Sequence, residues 1–441
     1  MTLPATVAAP RPTAPGPLGR PWRGGAGDGL AYGALGLPLA FVALPLYVVL
    51  PNHYASAHGV PLAALGAVLL GARLLDAVAD PWIGRFVDRR FAASTTQAWS
   101  VLALASVVLA LAFGALFFPA VQGTPALLAW CAAGLAVAYL AYSLASVVHQ
   151  AWGARLGGDA VQRARIVGWR EGAALLGVLV ASVLPAVGGL EATVLVFAAT
   201  LAIGVACLRA APRPDPDAAA DAALPATLPL HTAAFRRLLA VFLLNGIASA
   251  IPATLVLFFV RDRLQAPAHE PLFLGAYFAA GALAIPMWVR AVGRFGLARS
   301  WLAGMLLAVA AFVWATQLGP GDVTAFAIVC VASGVALGAD LGLPGAMLAG
   351  VIRDAGHGGR AEGAYFGWWN FATKLNLALA AGIALPALQA FGYAPGSRDA
   401  DALDALSWAY GALPCVLKLG AAALLWALWI RPEPSPARDP A

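Results

Sequence analysis

Twelve stretches of mostly apolar residues run along the chain, divided by short polar or Pro/Gly-rich breaks. They cover approximately 30–50, 62–83, 99–121, 127–150, 168–189, 191–208, 238–260, 272–289, 300–318, 323–352, 364–392 and 405–430. About 20 such residues cross a ~30 Å hydrocarbon core as a helix, because every backbone amide then finds its partner within the segment. Shared among twelve spans, 441 residues leave no room for a sizeable soluble domain. The pattern predicts an all-α membrane protein. The longest polar interruption, Ala210 to His231, is rich in Ala, Pro and Asp and falls between the sixth and seventh spans. It reads as a linker between two six-helix bundles. The expected layout is a disordered tail over 1–29, bundles over 30–209 and 236–431, a linker over 210–235, and a second disordered tail over 432–441.

Composition agrees with this pattern. Hydrophobic residues make up 61% and charged residues 11%, against ~45–50% and about 25% in soluble domains. So little charge cannot cover a water-facing surface of this size. The net charge of +6 raises the question of nucleic acid, and the placement of the arginines answers it. Of 25 Arg, 21 fall on the side shared by the two termini, spread over several short loops and tails. That asymmetry predicts cytoplasmic termini in a cell inner (plasma) membrane and gathers no basic face for nucleic acid. Cys131, Cys207, Cys330 and Cys415 lie within apolar runs, without metal-ligand or CxxC spacing, and read as small hydrophobes. No structural metal and no cofactor is expected. Gly84-Arg85-Phe86 after the second span and Gly293-Arg294-Phe295 after the eighth stand 209 residues apart, which suggests that the second half repeats the first.

Charges within the apolar runs carry the chemistry, since each costs at least ~2.5–3.5 kcal/mol to insert. Asp76 and Asp80 are four apart and share a helix face, with Arg73 three before the first. Two carboxylates so close need a positive neighbour, which a bound Na⁺ or proton would supply and which Arg73 alone could also supply. Lys374, deep in the eleventh span, reads as a partner for those acids across the bundles or as a snorkelling packing residue. Lys418 in the last span reads as structural, and Asp340 in the tenth as lining a path or pairing with a neighbour. Arg170 and Glu171 open the fifth span, as an interface anchor or a substrate contact. His149 and Trp152 close the fourth, where a lone His most often bonds a helix end. Pro38, Pro45 and Pro252 predict bends in spans one and seven.

The stretch GARLLDAVADPWIGRFVDR from Gly71 to Arg89 resembles the signature of the glycoside-pentoside-hexuronide:cation symporters, the melibiose-permease-like branch of the major facilitator superfamily. WGARLGGDAVQRARIVGWREGAALLG (Trp152 to Gly177) is similar to that family's passage from span four into five. LPGAMLAGVIRDAGHGGRAEGAYFGWWNFATKL (Leu343 to Leu375) is similar to its passage from span ten into eleven. The resemblance extends over nearly the whole chain. It implies the major facilitator fold and cation-coupled symport of a sugar or glycoside by alternating access, of the sodium:galactoside symporter kind.

The resemblance further implies that Asp76 and Asp80 hold the cation, that Arg73 and Lys374 adjust their charge, and that Gly84, Asp88 and Arg89 form a conformational loop. Arg170, Trp169, His149, Asn370 and Lys374 are the expected substrate contacts. Expected partners are a small-molecule substrate, a coupling cation and membrane lipids, with the protein a monomer. Three departures alter the expectation. Ala79 stands where the family has an Asn, removing an amide oxygen from an Na⁺ shell and favouring H⁺. Leu37 and Pro38, with no acid between Leu127 and Ala151, leave out the sugar-gripping carboxylates. Gly350 replaces an acid near the end of span ten.

Two other functions compete. Proton-driven efflux of amphipathic compounds would suit the missing carboxylates and the 14 Trp and 19 Phe. A membrane-embedded enzyme finds no support, because the six His (53, 58, 149, 231, 269 and 357) are scattered and neither HExxH nor a nucleophile elbow is present.

Overall fold

The structure is a computed structural model describing residues 22–214 and 224–431. Most of the first tail, the middle of the linker and the second tail therefore lie outside the described residues. What is described is helical, in ten long segments. These are α1 (Ala26–His58), α2 (Leu62–Ala93), α3 (Thr95–Phe117), α4 (Thr124–Arg155), α5 (Ala160–Ala210), α6 (Ala233–Arg263), α7 (Pro267–Ala315), α8 (Val323–Asp354), α9 (Glu362–Ala390) and α10 (Ala400–Ile430). Nine of them are long and apolar enough to cross a membrane; α2 carries more charge than the others.

Local chemistry sets several of these ends. The Ser94 side chain accepts from Gln97 N at 3.0 Å, so Ser94 alone separates the end of α2 from the start of α3. Asp159 caps α5 through Gln162 N at 2.8 Å, and Asp399 caps α10 through Ala402 N at 3.1 Å. A π-helical turn covers Pro45–Val49 of α1, a local widening of the helix that begins at one of the expected prolines.

A straight helix of 51 residues would measure roughly 76 Å, far more than a bilayer core. The chain solves this with glycine. Gly189 in α5 takes φ 73° and Gly296 in α7 takes φ 77°, backbone values that a side chain disfavours. The chain turns back at both. Gly177 and Gly204, on either side of Gly189, meet Leu37 and Leu35 of α1, so the two arms of α5 run side by side. Gly281 and Gly304, flanking Gly296, likewise meet Gly338 and Ala339 of α8. The apolar stretches 168–189 and 191–208 are thus the two arms of one segment.

The outer surface is apolar where a soluble protein would be charged. Leu111 is 69% exposed, Leu195 69% and Ile328 64%. That arrangement suits contact with acyl chains. The linker's described flanks are tied down and not free: Trp152 Nε1 donates to Pro212 O and Trp368 Nε1 to Ala226 O, each at 2.8 Å. A short helix, Leu228–His231, precedes α6.

The two halves meet most closely on the side of the termini, where α2 lies along α9. Gly84 faces Gly363 so closely that a Cβ on either would strike the other's carbonyl, and a Cβ on Gly367 would strike the Asp80 carbonyl. At the equivalent point of the second half, Gly293 lies against Val161 of α5. Each copy of the Gly-Arg-Phe motif therefore lies at a contact between the halves. Replacing Gly84 by Val inserts a branched side chain against backbone that cannot yield. Overpacking of that kind costs roughly 1–3 kcal/mol, which moves a two-state equilibrium by about 5- to 150-fold. Spin-label distances between the terminal-side ends of α2 and α9 should lengthen in Gly84→Val if this contact holds the seam shut.

Candidate functional site

Asp76 and Asp80 lie one helical turn apart on α2 and face α9, where Lys374 reaches between them. Its Nζ stands 2.7 Å from Asp76 Oδ2 and 2.7 Å from Asp80 Oδ2. It also donates to Ser143 Oγ of α4 at 2.8 Å, and that hydroxyl donates to Asp76 Oδ1 at 2.6 Å. The acids are almost wholly buried, with side-chain exposures of 5% and 0%, while Lys374 keeps 23%. Asp76 is well satisfied. Asp80 has less: among the described residues the shared Lys374 ammonium, at 2.7 Å, is its one charged partner. Two carboxylates against one ammonium leave one negative charge without a counterpart in the cluster, in surroundings where an uncompensated charge is costly.

Arg73 does not enter the cluster. Its guanidinium lies 3.5 Å from the centre of the Tyr47 ring, a cation–π contact with α1. Ser143 escapes sequence reasoning because a hydroxyl inside an apolar helix normally bonds its own backbone and carries no charge to mark it. The sole signal was a small polar residue in the fourth span.

The expected substrate contacts are dispersed. Asn370 sits one turn before Lys374 and shares its face of α9. Arg170 is held by its neighbour, with Nη2 2.6 Å and Nε 2.9 Å from Glu171 Oε1, and lines a small cleft with Tyr32, Gln150 and Phe366. His149 is buried, its Nε2 2.8 Å from Tyr32 O and its ring 4.6 Å from the Tyr32 ring. His149 lies six residues before the end of α4, and the bond ties that helix to α1. Trp169 turns away from Arg170 and packs on Gly29 and Gly33 of α1 beside a separate groove.

On the side of the termini, Asp88 accepts from Gly363 N at 2.7 Å and Ala364 N at 2.8 Å, so an acid of one half caps the first turn of α9 in the other. Arg155 joins them, 3.0 Å from both Asp88 Oδ1 and Glu362 Oε2, and donates to Gly359 O. Gly84 and Asp88 thus lie in the seam; Arg89 is exposed. Arg155 and Glu362 were missed because they sit 207 residues apart and read as ordinary loop charges.

Inside the second half, Lys418 donates to Asn245 Oδ1 (2.8 Å), Ser249 Oγ (2.8 Å) and Asp340 Oδ2 (2.7 Å). Asp340 Oδ1 also accepts from Asn245 Nδ2 (3.1 Å) and Trp301 Nε1 (2.9 Å). The network ties α6, α7, α8 and α10 together. Asp340 pairs with Lys418 and also lines a cavity in the second half, while the structural reading of Lys418 fits a group whose three protons are all engaged.

A sequence model of the family described as MFS/sugar transport protein matches residues 29–431. The chain belongs to that family. It contains the melibiose-permease-like symporters and lies within the major facilitator superfamily, so the protein is a transporter. Solved structures share its fold. The human organic anion transporter MFSD10 superposes with a TM-score of 0.67 at 17% identity, covering 90% of this chain and 99% of that one. A bacterial homologue of the iron transporter ferroportin in an outward-facing state gives 0.64 at 17%, covering 90% and 99%. The Escherichia coli fucose:proton symporter gives 0.64 at 11%, covering 90% and 97%. No curated protein sequence gives a significant match.

Two measurements probe this transporter's electrostatics. Asp88 lies beyond the apolar part of α2; burial raises it to about 7, while Arg155 and the two α9 amides pull it down and Glu362 adds to the rise. A carboxylate released into water titrates near ~3.9. The closed seam therefore binds this proton more tightly than an open one, so acidification from about 7 towards about 4 favours closure. The same spin-label distances followed across pH should show that trend in the parent protein and lose it in Asp88→Asn. In the second half, Lys418→Met strands the buried Asp340 charge at a cost of about 3–5 kcal/mol. Melting in detergent should fall for Lys418→Met and recover in Lys418→Met/Asp340→Leu.

Proposed function

We propose that the protein is a secondary active transporter that moves a sugar or glycoside by cation-coupled symport, with Asp76 and Asp80 as the ion site. The carrying observation is the shortfall of positive charge at Asp80, a fully buried carboxylate that shares one lysine with Asp76. A proton suits it better than Na⁺. Lys374 already occupies the position between the carboxylates, and Ala79 offers no side-chain oxygen to complete a metal shell.

Lys374 belongs to one half of the molecule and the acids to the other. Neutralising Asp80 weakens the attraction that holds α9 against α2, and that links ion binding to the rocking of the halves. We count the two arms each of α5 and α7 with the other eight segments as twelve crossings in two bundles. The termini then face the cytoplasm across an inner membrane, as the arginine bias requires, and a monomer suffices. The substrate would lie between the halves near Lys374, Asn370 and Arg170.

A second reading, proton-driven efflux of amphipathic compounds, draws on the cavity of about 140 Å³ inside the second half, walled by Phe273, Tyr277, Phe312 and Tyr410. Binding of sugars and of lipophilic compounds to the purified protein, with and without Na⁺ and across pH, separates the two readings. In right-side-out vesicles, Asp76→Asn and Asp80→Asn should each abolish gradient-driven uptake while the protein still inserts. Full ion-coupled transport by both variants would remove the coupling role from these acids.

A further inference from the structure

A groove of about 580 Å³ opens on the surface where the two halves meet, between α1, the first arm of α5 and the first arm of α7. Its floor is the contact of Gly168 with Ile285. Its walls are apolar and open to the outside: Leu30 is 59% exposed, Leu176 53% and Leu283 81%. Among the described residues the lining holds two arginines, Arg165 and Arg290, both exposed and at the end nearest the termini, and no carboxylate. The acid closest along α1, Asp28, lies outside the lining and accepts from Arg23 N at 2.7 Å.

The groove has a direction. Along α5 the lining residues Arg165, Trp169, Gly172, Ala173 and Leu176 form one helical stripe, charged at one end and apolar at the other. Arg290 and Val289 through Leu283 repeat that order on α7. Eleven residues of helix span about 16 Å, close to half of a ~30 Å hydrocarbon core. A cationic head position above an apolar trough one leaflet deep has the shape and charge of a single amphiphile. Trp169 sits at the boundary between the two regions, the depth that indole favours in membranes.

We propose that this groove is a binding site for one anionic phospholipid from the leaflet on the side of the termini. The phosphate lies between Arg165 and Arg290, and an acyl chain fills the trough against Leu176 and Leu283. Because Arg165 belongs to one half and Arg290 to the other, a lipid held by both ties the halves together in the closed seam. The site does not depend on the coupling ion or on the cargo, so failure of either reading leaves the other standing.

Native mass spectrometry of the full-length protein in detergent tests it, with phosphatidylglycerol, phosphatidylcholine and glycerol 3-phosphate as separate probes. The parent protein should retain one phosphatidylglycerol in preference to phosphatidylcholine and should not retain glycerol 3-phosphate. Arg165→Ala/Arg290→Ala should bind phosphatidylglycerol roughly tenfold or more weakly, on the scale of surface charge–lipid attraction. Arg165→Lys/Arg290→Lys should recover most of that loss, and Leu283→Trp, which narrows the trough and leaves both arginines, should also weaken binding. Arg209→Ala/Arg237→Ala, on other exposed arginines, should have no effect. Undiminished binding in the double alanine variant overturns the site. An equal loss in the Arg209/Arg237 variant shows general basic attraction in its place, equal retention of phosphatidylcholine removes the charge requirement, and retention of glycerol 3-phosphate makes the ligand a free phosphate.

Discussion

One ammonium group shared by two carboxylates organises the centre of this molecule. In water such an arrangement is worth little, because solvent screens each charge. Between packed helices the screening is weak and the desolvation penalty is large, so every charge must be matched or displaced. Lys374 matches one negative charge out of two, and it comes from the half of the protein that does not own the acids. The imbalance and the split ownership are the same fact seen twice. A positive guest that corrects the imbalance also alters what holds the halves together.

The second half contains the opposite case. Lys418 and Asp340 are matched one to one, and their remaining hydrogen-bonding capacity is used by Asn245, Ser249 and Trp301. Every polar partner lies within the same half. A satisfied network of this kind fixes helices relative to one another and leaves no vacancy for an ion. Comparing the two lysines shows why a buried charge alone does not identify a functional residue; what distinguishes them is whether the neighbourhood balances.

Much of this was readable from the chain. The apolar runs located the helices because a bilayer imposes a length and forbids unpaired backbone, and the acid spacing on α2 placed Asp76 and Asp80 on one face. The meeting of Lys374 with those acids was expected as one of two options. What could not be read were contacts made by residues far apart in sequence and plain in type: Ser143 beside Asp76, and Arg155 with Glu362 beside Asp88. Arg73 was expected beside the acids because it shares their helix, yet a guanidinium on a long stem chose the Tyr47 ring. Local spacing fixes where a side chain starts, and its neighbours from other segments decide where it ends.

The facing glycines of α2 and α9 have a mechanical meaning. Where side chains interlock, two helices separate only after each knob has been withdrawn and its rotamer reset. At Gly84 and Gly363 bare backbone rests on bare backbone, so this stretch of the joint has no teeth to disengage. Parting there resembles lifting a lid from a smooth rim, with the resistance supplied by the hydrogen-bonded latch at Asp88 and by the shared lysine farther in. Gripping and releasing thus meet at one point, since Gly363 offers bare backbone to Gly84 and its N–H to Asp88.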